Sequence, residues 1–274
     1  MNPKMFPPLP LDEWRATRDT IQGYTQVVGK IRRAMTPHQR HWFHINLRTA
    51  ALGLTTTPIR NGNIAFELLL DFTGHQLVVS TSTGDWAEVD LDGQSAQEFC
   101  EEVTRALDEI GIAVDIDSEQ FNDDDGTYDP DYVEDCWQAL SQIDLVLKEF
   151  LGQLRGRKGP VSLWPHHFDL AGLWFTGRLV PDQDPDDEET ADEQMNFGFS
   201  TGDEGIPEAY FYITAYPWPD GLENTTLPSP VRWHTQGWKG AVMTYADMIA
   251  ADNPREALLD FLRTVQKAGA ERMR

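Results

Sequence analysis

The chain has 274 residues, of which 40% are hydrophobic and 11% aromatic, enough to build a core and to exclude an intrinsically disordered chain. Its 45 acidic side chains outnumber 22 basic ones, for a net charge of -23. That balance argues against nucleic acid and anionic membranes as partners, because both would repel it. The two cysteines, Cys100 and Cys136, lie inside helical patterns. They speak for buried thiols in the reducing cytoplasm rather than a disulfide framework or a zinc cluster. The opening MNPKMFPPLPL lacks the apolar stretch of a signal peptide, and no apolar run is long enough to span a membrane.

Taken in order, residues 1–10 carry four prolines and read as a surface tether. Trp14, Ile21, Tyr24, Val27, Val28 and Ile31 then recur at helical spacing, which predicts a helix from Asp12 to about Met35, stopped by Pro37. Strands are expected at about 41–50, 64–72, 75–82 and 86–91, joined by turns at Thr73-Gly74 and Thr83-Gly84-Asp85. A helix over about 95–110 and a short strand at 112–116 follow. An acid-rich linker at 119–130 leads to a second long helix at about 131–154.

The segment from Asp12 meets itself 123 residues later. Asp12 aligns with Asp135, Trp14 with Trp137, Gly29 with Gly152, Arg32 with Arg155, Pro37 with Pro160 and His44 with His167, all without a gap. A second anchor is STGD, found at Ser82–Asp85 and again at Ser200–Asp203. These matches predict an α+β fold built as an internal duplication of an α-β(3–4)-α unit, with antiparallel sheets covered by helices about a pseudo-twofold axis. The first repeat is assigned to 1–118 and the second to 131–274. The second carries a Trp-rich insert at about 217–253, with RWHTQGWKGAVMTY as a hairpin inside it, and a last helix at 254–269.

Chemistry-bearing residues concentrate in SLWPHHFDLAGLWFT, Ser162–Thr176. If Trp164–Phe175 is extended, alternation sends His167 and Asp169 to one face and His166 to the apolar other. The matched strand of the first repeat presents His44 and Asn46 in the same way. Converging near a pseudo-twofold, His44, Asn46, His167 and Asp169 have the donor types to hold a divalent metal, with His167, Asp169 and His44 as ligands. They equally suit a catalytic His–Asp pair for general base work. The competing explanation is structural: residues shared by both repeats encode the shared fold.

Features confined to the second repeat are the other candidates for function. Glu193, Asn196, Tyr210, Tyr212, His234 and Trp238 fall there, and an aromatic hairpin over a polar strand face would make a lidded ligand pocket. Covering an open sheet edge is the plain alternative. Gly198-Phe199-Ser200-Thr201-Gly202 fits the G-x-S-x-G pattern of a nucleophile elbow, but the residues that follow read as loop and strand where that motif needs a helix.

The stretches PHHFDLA, DEQMNFGFSTGD and EAYFYITAYP, with HINLRTAALGLTTTPI and FELLLDFTGHQLVV in the first half, resemble the uncharacterised bacterial family known as domain of unknown function 5996. The resemblance implies a soluble, stand-alone bacterial protein and carries over no catalytic residue. The expectation, drawn from the His/Asp cluster, is a small-molecule enzyme working by metal-assisted hydrolysis or acid–base chemistry. The alternatives are a non-catalytic binding module with an aromatic lid, or a protein-interaction scaffold.

Overall fold

The computed structural model describes residues 5–273. Helix and strand make up 36% and 25%, and the strands form two antiparallel sheets, so the fold is α+β, neither all-helical nor all-sheet. The chain divides into two compact units. The first takes residues up to Pro7, Asp12–Ser141 and Ser162–Phe168; the second takes Pro8–Leu11, Gln142–Val161 and the chain from Asp169 onward.

Helix α1 runs over Leu11–Met35. All six apolar positions that predict it are buried, so the 3.6-residue period is the face packed inward. Strands β1 (Arg48–Thr49), β2 (Gly53–Thr55), β3 (Ile59–Asn61), β4 (Ile64–Asp71), β5 (Gln76–Thr81) and β6 (Trp86–Asp90) follow. They form the first sheet in the order β1-β2-β4-β5-β6, with β3 also paired to β4. On β4, Phe66, Leu68 and Leu70 alternate inward and are buried. The β4–β5 turn is set by Asp71, whose Oδ1 accepts from the Thr73 and Gly74 amides at 2.9 and 2.8 Å. Helix α2 (Ala96–Glu109) starts where Ser95 Oγ accepts from the Glu98 amide at 3.0 Å.

Helix α3 spans Pro130–Gln153, and β7 (Ser162–Trp164) bridges back to Leu47 through a pair of 2.9 Å backbone hydrogen bonds with Leu163. The second unit continues with β8 (Asp169–Leu179), β9 (Asp192–Ser200), β10 (Tyr210–Tyr216), β11 (Arg232–His234) and β12 (Gly240–Thr244), then α4 (Tyr245–Ile249) and α5 (Pro254–Arg272). Its strands run in the order β11-β12-β10-β9-β8. The β11–β12 hairpin forms inside the Trp-rich insert, as its sequence predicts. Asn253 caps α5 ahead of Pro254, the order in which a capping side chain and a proline open a helix.

Four local expectations need correcting. His41–Ala50 is not one strand: Arg40–Trp42 makes a 3-10 turn, His41 and Trp42 take left-handed φ angles of 60° and 59°, and pairing begins only with the Leu47–Leu163 bridge, ahead of β1 at Arg48. The rings of His38, Trp42 and His44 cluster there, with His38–His44 at 4.7 Å and Trp42–His44 at 5.6 Å, so side-chain packing replaces a ladder. Trp164–Phe175 is likewise broken by a turn at 165–168, where Phe168 has φ 54° and its amide donates to the Trp164 carbonyl at 2.9 Å. Residues 112–116 form no strand, although Ile112 is buried. Of the expected surface tether, Pro7 and Leu9 are in fact buried, while residues 1–4 lie outside the described residues. Among the described residues no helix is long and apolar enough to cross a membrane.

Gly53 on β2 faces the β4 backbone so closely that a Cβ would strike the Leu70 carbonyl oxygen. Because that obstacle is backbone inside a ladder, it cannot rotate away. Gly53→Ala is expected to destabilise the protein by about 3 kcal/mol, read as a lower midpoint in urea unfolding.

Candidate functional site

The second unit's sheet has two unlike faces. Phe197 and Phe199 of β9 and Phe211 and Ile213 of β10 point to one side. All four are buried, and Phe150 of α3 meets Phe197 edge-on at 4.9 Å. This is the ordinary apolar face under helices. The opposite face carries Asp169 on β8, Gln194, Asn196, Gly198 and Ser200 on β9, and Tyr210, Tyr212, Thr214 and Tyr216 on β10. Most of these side chains are half-buried, neither sealed in a core nor fully hydrated.

Tyr212 pairs with Gly198 in the ladder, and Gly198 pairs with Ala171 on the far side. A Cβ on Gly198 would lie inside the Tyr212 ring. The missing side chain lets the tyrosine lie across β9 and donate its phenol proton to Asp169 Oδ2, two strands away. Burial, and then the Asp169 carboxylate, hold the Tyr212 phenol well above its usual pKa of 10.0, while a hydrogen bond from Asn196 opposes the shift. Tyr212 is therefore a fixed donor rather than a base. Tyr210 donates to Asp203 Oδ2 at 2.6 Å and is raised in the same way, by burial first and Asp203 second. Asp203 is itself fixed by the Gly205 and Ile206 amides at 2.7 and 2.8 Å.

Trp238, from the hairpin loop, folds over this end of the sheet. Its ring stacks on Tyr210 at 6.5 Å, meets Tyr212 edge-on at 6.3 Å and lies 4.3 Å from His234. Gly240 beneath it leaves the room, because a Cβ there would touch the indole. His234 Nε2 is committed to the Gln236 carbonyl at 2.7 Å. Two buried side-chain oxygens on this face, Asn196 Oδ1 and Gln194 Oε1, have no hydrogen-bond partner. A buried acceptor without a donor costs about 1–3 kcal/mol, so the face carries unused hydrogen-bonding capacity.

Asp169, Asn196, Tyr210, Tyr212, His234 and Trp238 thus share one surface of the second unit. The other expected site residues do not. Glu193 points to the opposite face of β9, where its carboxylate takes Thr176 Oγ1 and Arg178 Nη2, each at 2.5 Å. His44, Asn46 and His167 belong to the first unit. His44 is buried and its Nδ1 accepts the Gln39 amide at 3.3 Å. His167 is exposed at the 165–168 turn with its ring 4.6 Å from that of His166, which is also exposed rather than packed in a core. Neither histidine sits on a strand, so the alternation that aligned them with Asn46 and Asp169 does not operate. Among the described residues no group of three or more His, Cys, Asp or Glu side chains is placed to hold a metal, so His167, Asp169 and His44 form no such set. Gln194 and Asp203 were not singled out as site residues in the sequence, although Asp203 closes the second STGD; the even spacing of Gln194, Asn196 and Gly198 is the signal that could have found the first.

Asn46 has a structural task. It is fully buried, and its Oδ1 accepts from Arg32 Nη1 at 3.2 Å. Burial, and then repulsion from Arg48, hold the Arg32 guanidinium down at about 10. Arg32 Nε and Asn46 Nδ2 both lack partners, so the pair is under-satisfied.

With this geometry in view, the chain is placed among α+β proteins that present a polar, tyrosine-rich sheet face beneath an aromatic hairpin. It belongs to a family of unknown function, DUF5996, whose family model matches residues 6–274. No curated protein and no solved structure matches it.

Two outcomes test these assignments. Asn46→Ala, which strips the buried guanidinium of its acceptor, is expected to cost about 3 kcal/mol of stability, whereas Asn46→Asp supplies a counter-charge and should retain most of it; thermal unfolding of both checks this. Tyr212's folded pKa lies above its unfolded value of 10.0, so its contribution is complete below that pH and is lost as pH climbs beyond it. Urea midpoints should therefore fall more steeply above about pH 10 in the wild type than in Tyr212→Phe.

Proposed function

We propose that the second unit is a non-catalytic binding module for a small polar molecule, held against the Tyr210, Tyr212 and Trp238 rings. The carrying observation is the pair of partnerless acceptors, Asn196 Oδ1 and Gln194 Oε1, on the same face as those rings. A ligand offering O–H or N–H donors would satisfy both and relieve the cost of burying them. Its apolar side would lie on the aromatic rings, which sets the chemical class as polyols, pyranose sugars or amino alcohols rather than organic acids. Asp169 adds negative charge at the same place, which further disfavours an anion.

Acid–base chemistry at a His–Asp pair has weaker support. The Asp169 carboxylate serves Tyr212, and His234 is tied to a backbone carbonyl. A divalent metal cofactor and a scaffold role likewise have no specific observation behind them. The two free, buried cysteines support a cytoplasmic setting, with the Cys100 thiol pushed up to about 11 by burial and then by Glu101, and so unreactive.

Ligand-observed NMR against methyl pyranosides, polyols, amino alcohols and simple carboxylic acids tests this reading. Binding is expected among the first three classes. Trp238→Ala should weaken it about tenfold or more, with Asn196→Ala losing less, while both variants keep the wild-type circular dichroism spectrum. A response confined to the acids, or indifference to Trp238→Ala, would defeat the proposal.

A further inference from the structure

The first unit contains a second cavity of a different chemical character. It has a volume of about 410 Å³, within the range of small-molecule sites, and lies between α1, the 165–168 turn and Phe121. Its floor is apolar, formed by Ile45, Phe121 and Pro165, while Lys30, Arg33 and His166 stand at its rim. No aspartate or glutamate lines it. In a chain with 45 acids and 22 bases, that omission sets it apart. The two neighbouring cavities of the same unit show the contrast: one is lined by Asp19, Asp124 and Asp125, the other by Glu88, Asp90 and Glu102.

Two details show that this cavity is shaped rather than accidental. Gly29 sits under Pro165 so closely that a Cβ would approach the proline ring to 2.8 Å, so the wall depends on that glycine. The turn bearing His166 is tied to α1 by Gln22 and Gln26, whose Nε2 groups donate to the His166 carbonyl at 2.9 and 3.5 Å. Arg33 lies over the Trp42 ring at 5.3 Å, which orients the guanidinium without neutralising it. Neither Lys30 nor Arg33 forms an ion pair with a carboxylate among the described residues.

From this combination we infer that the first unit binds a small organic anion, a phosphate or carboxylate carried on an apolar body. Lys30 and Arg33 grip the anionic group and Phe121 and Pro165 take the rest. Arginine and lysine together supply charge-assisted hydrogen bonds to such oxygens, and the absence of a carboxylate from the lining spares an anion the repulsion it meets elsewhere on an acidic surface. The ligand class is opposite to that proposed for the second unit, so the two readings stand or fall separately.

Isothermal titration of the full chain at low salt tests the inference, with phenyl phosphate and phenylacetate as anionic probes and benzyl alcohol as the neutral control. Saturable one-site binding of an anion is expected, weakened about tenfold or more in the double variant Lys30→Ala/Arg33→Ala and by added salt. Lys267→Ala, an exposed cation outside the cavity, should leave it unchanged. Both substituted rim residues are exposed, so the double variant is expected to unfold at the wild-type temperature. Phenyl phosphate binding more tightly than phenylacetate would assign the anionic group as phosphate, and the reverse as carboxylate. Anion binding no stronger than that of benzyl alcohol, or equal in the wild type and the double variant, overturns the inference.

Discussion

A tyrosine lying flat across a strand is the constraint on which the second unit's functional face depends. Gly198 is the only residue that lets Tyr212 cross β9, because any Cβ would occupy the space of its ring. The crossing brings the phenol of β10 to the carboxylate of β8, linking three strands by a side chain as well as by their ladders. The same device recurs at Gly240, which leaves room for Trp238. Two absent side chains thus make a shelf of rings out of a surface that pleated alternation alone would have filled with smaller, upright groups. Both phenols are then fixed as donors, since burial and neighbouring carboxylates keep them protonated.

Much of the fold was legible because it rests on periodicity. The apolar spacing of α1, the alternation of β4 and the capping serine before α2 each state their own local geometry. The turns holding His44 and His167 were not legible for a complementary reason. Their aromatic and apolar residues mimic strand alternation, but the chain takes left-handed φ at His41, Trp42 and Phe168, none of them a glycine, and Trp42 and Phe168 of types that rarely adopt it. Once those turns replace strands, the inference that His44 and His167 share a polar face with Asn46 and Asp169 loses its basis.

The candidate site was half legible. Asn196, Tyr210, Tyr212, His234 and Trp238 were singled out by residue type and by belonging to one half of the chain, Asp169 by its place beside His167, and the six do share a face. Glu193 failed by a single position, because an odd–even step on a strand moves a side chain to the other side of the sheet. The apparent nucleophile elbow is explained by the same geometry. Gly198 is there for Tyr212, Gly202 turns the chain at φ 110°, and Ser200 ends β9 with its Oγ accepting the Gly202 amide at 3.1 Å. A catalytic motif was thus imitated by two glycines with separate structural reasons.

The distribution of charge supplies the last step. Some lysines and arginines are spent on the excess of carboxylates, as Lys148 is with Asp144 at 2.6 Å and Arg178 with Glu193. Lys30 and Arg33 stand out for another reason, which is that they line a recess with no carboxylate in its wall. On the second unit's face the lone pairs of Asn196 Oδ1 and Gln194 Oε1 are without donors, and Asp169 lies on the same side of the sheet. Local charge, which says nothing about fold, therefore separates the two candidate sites by the sign of the ligand proposed for each.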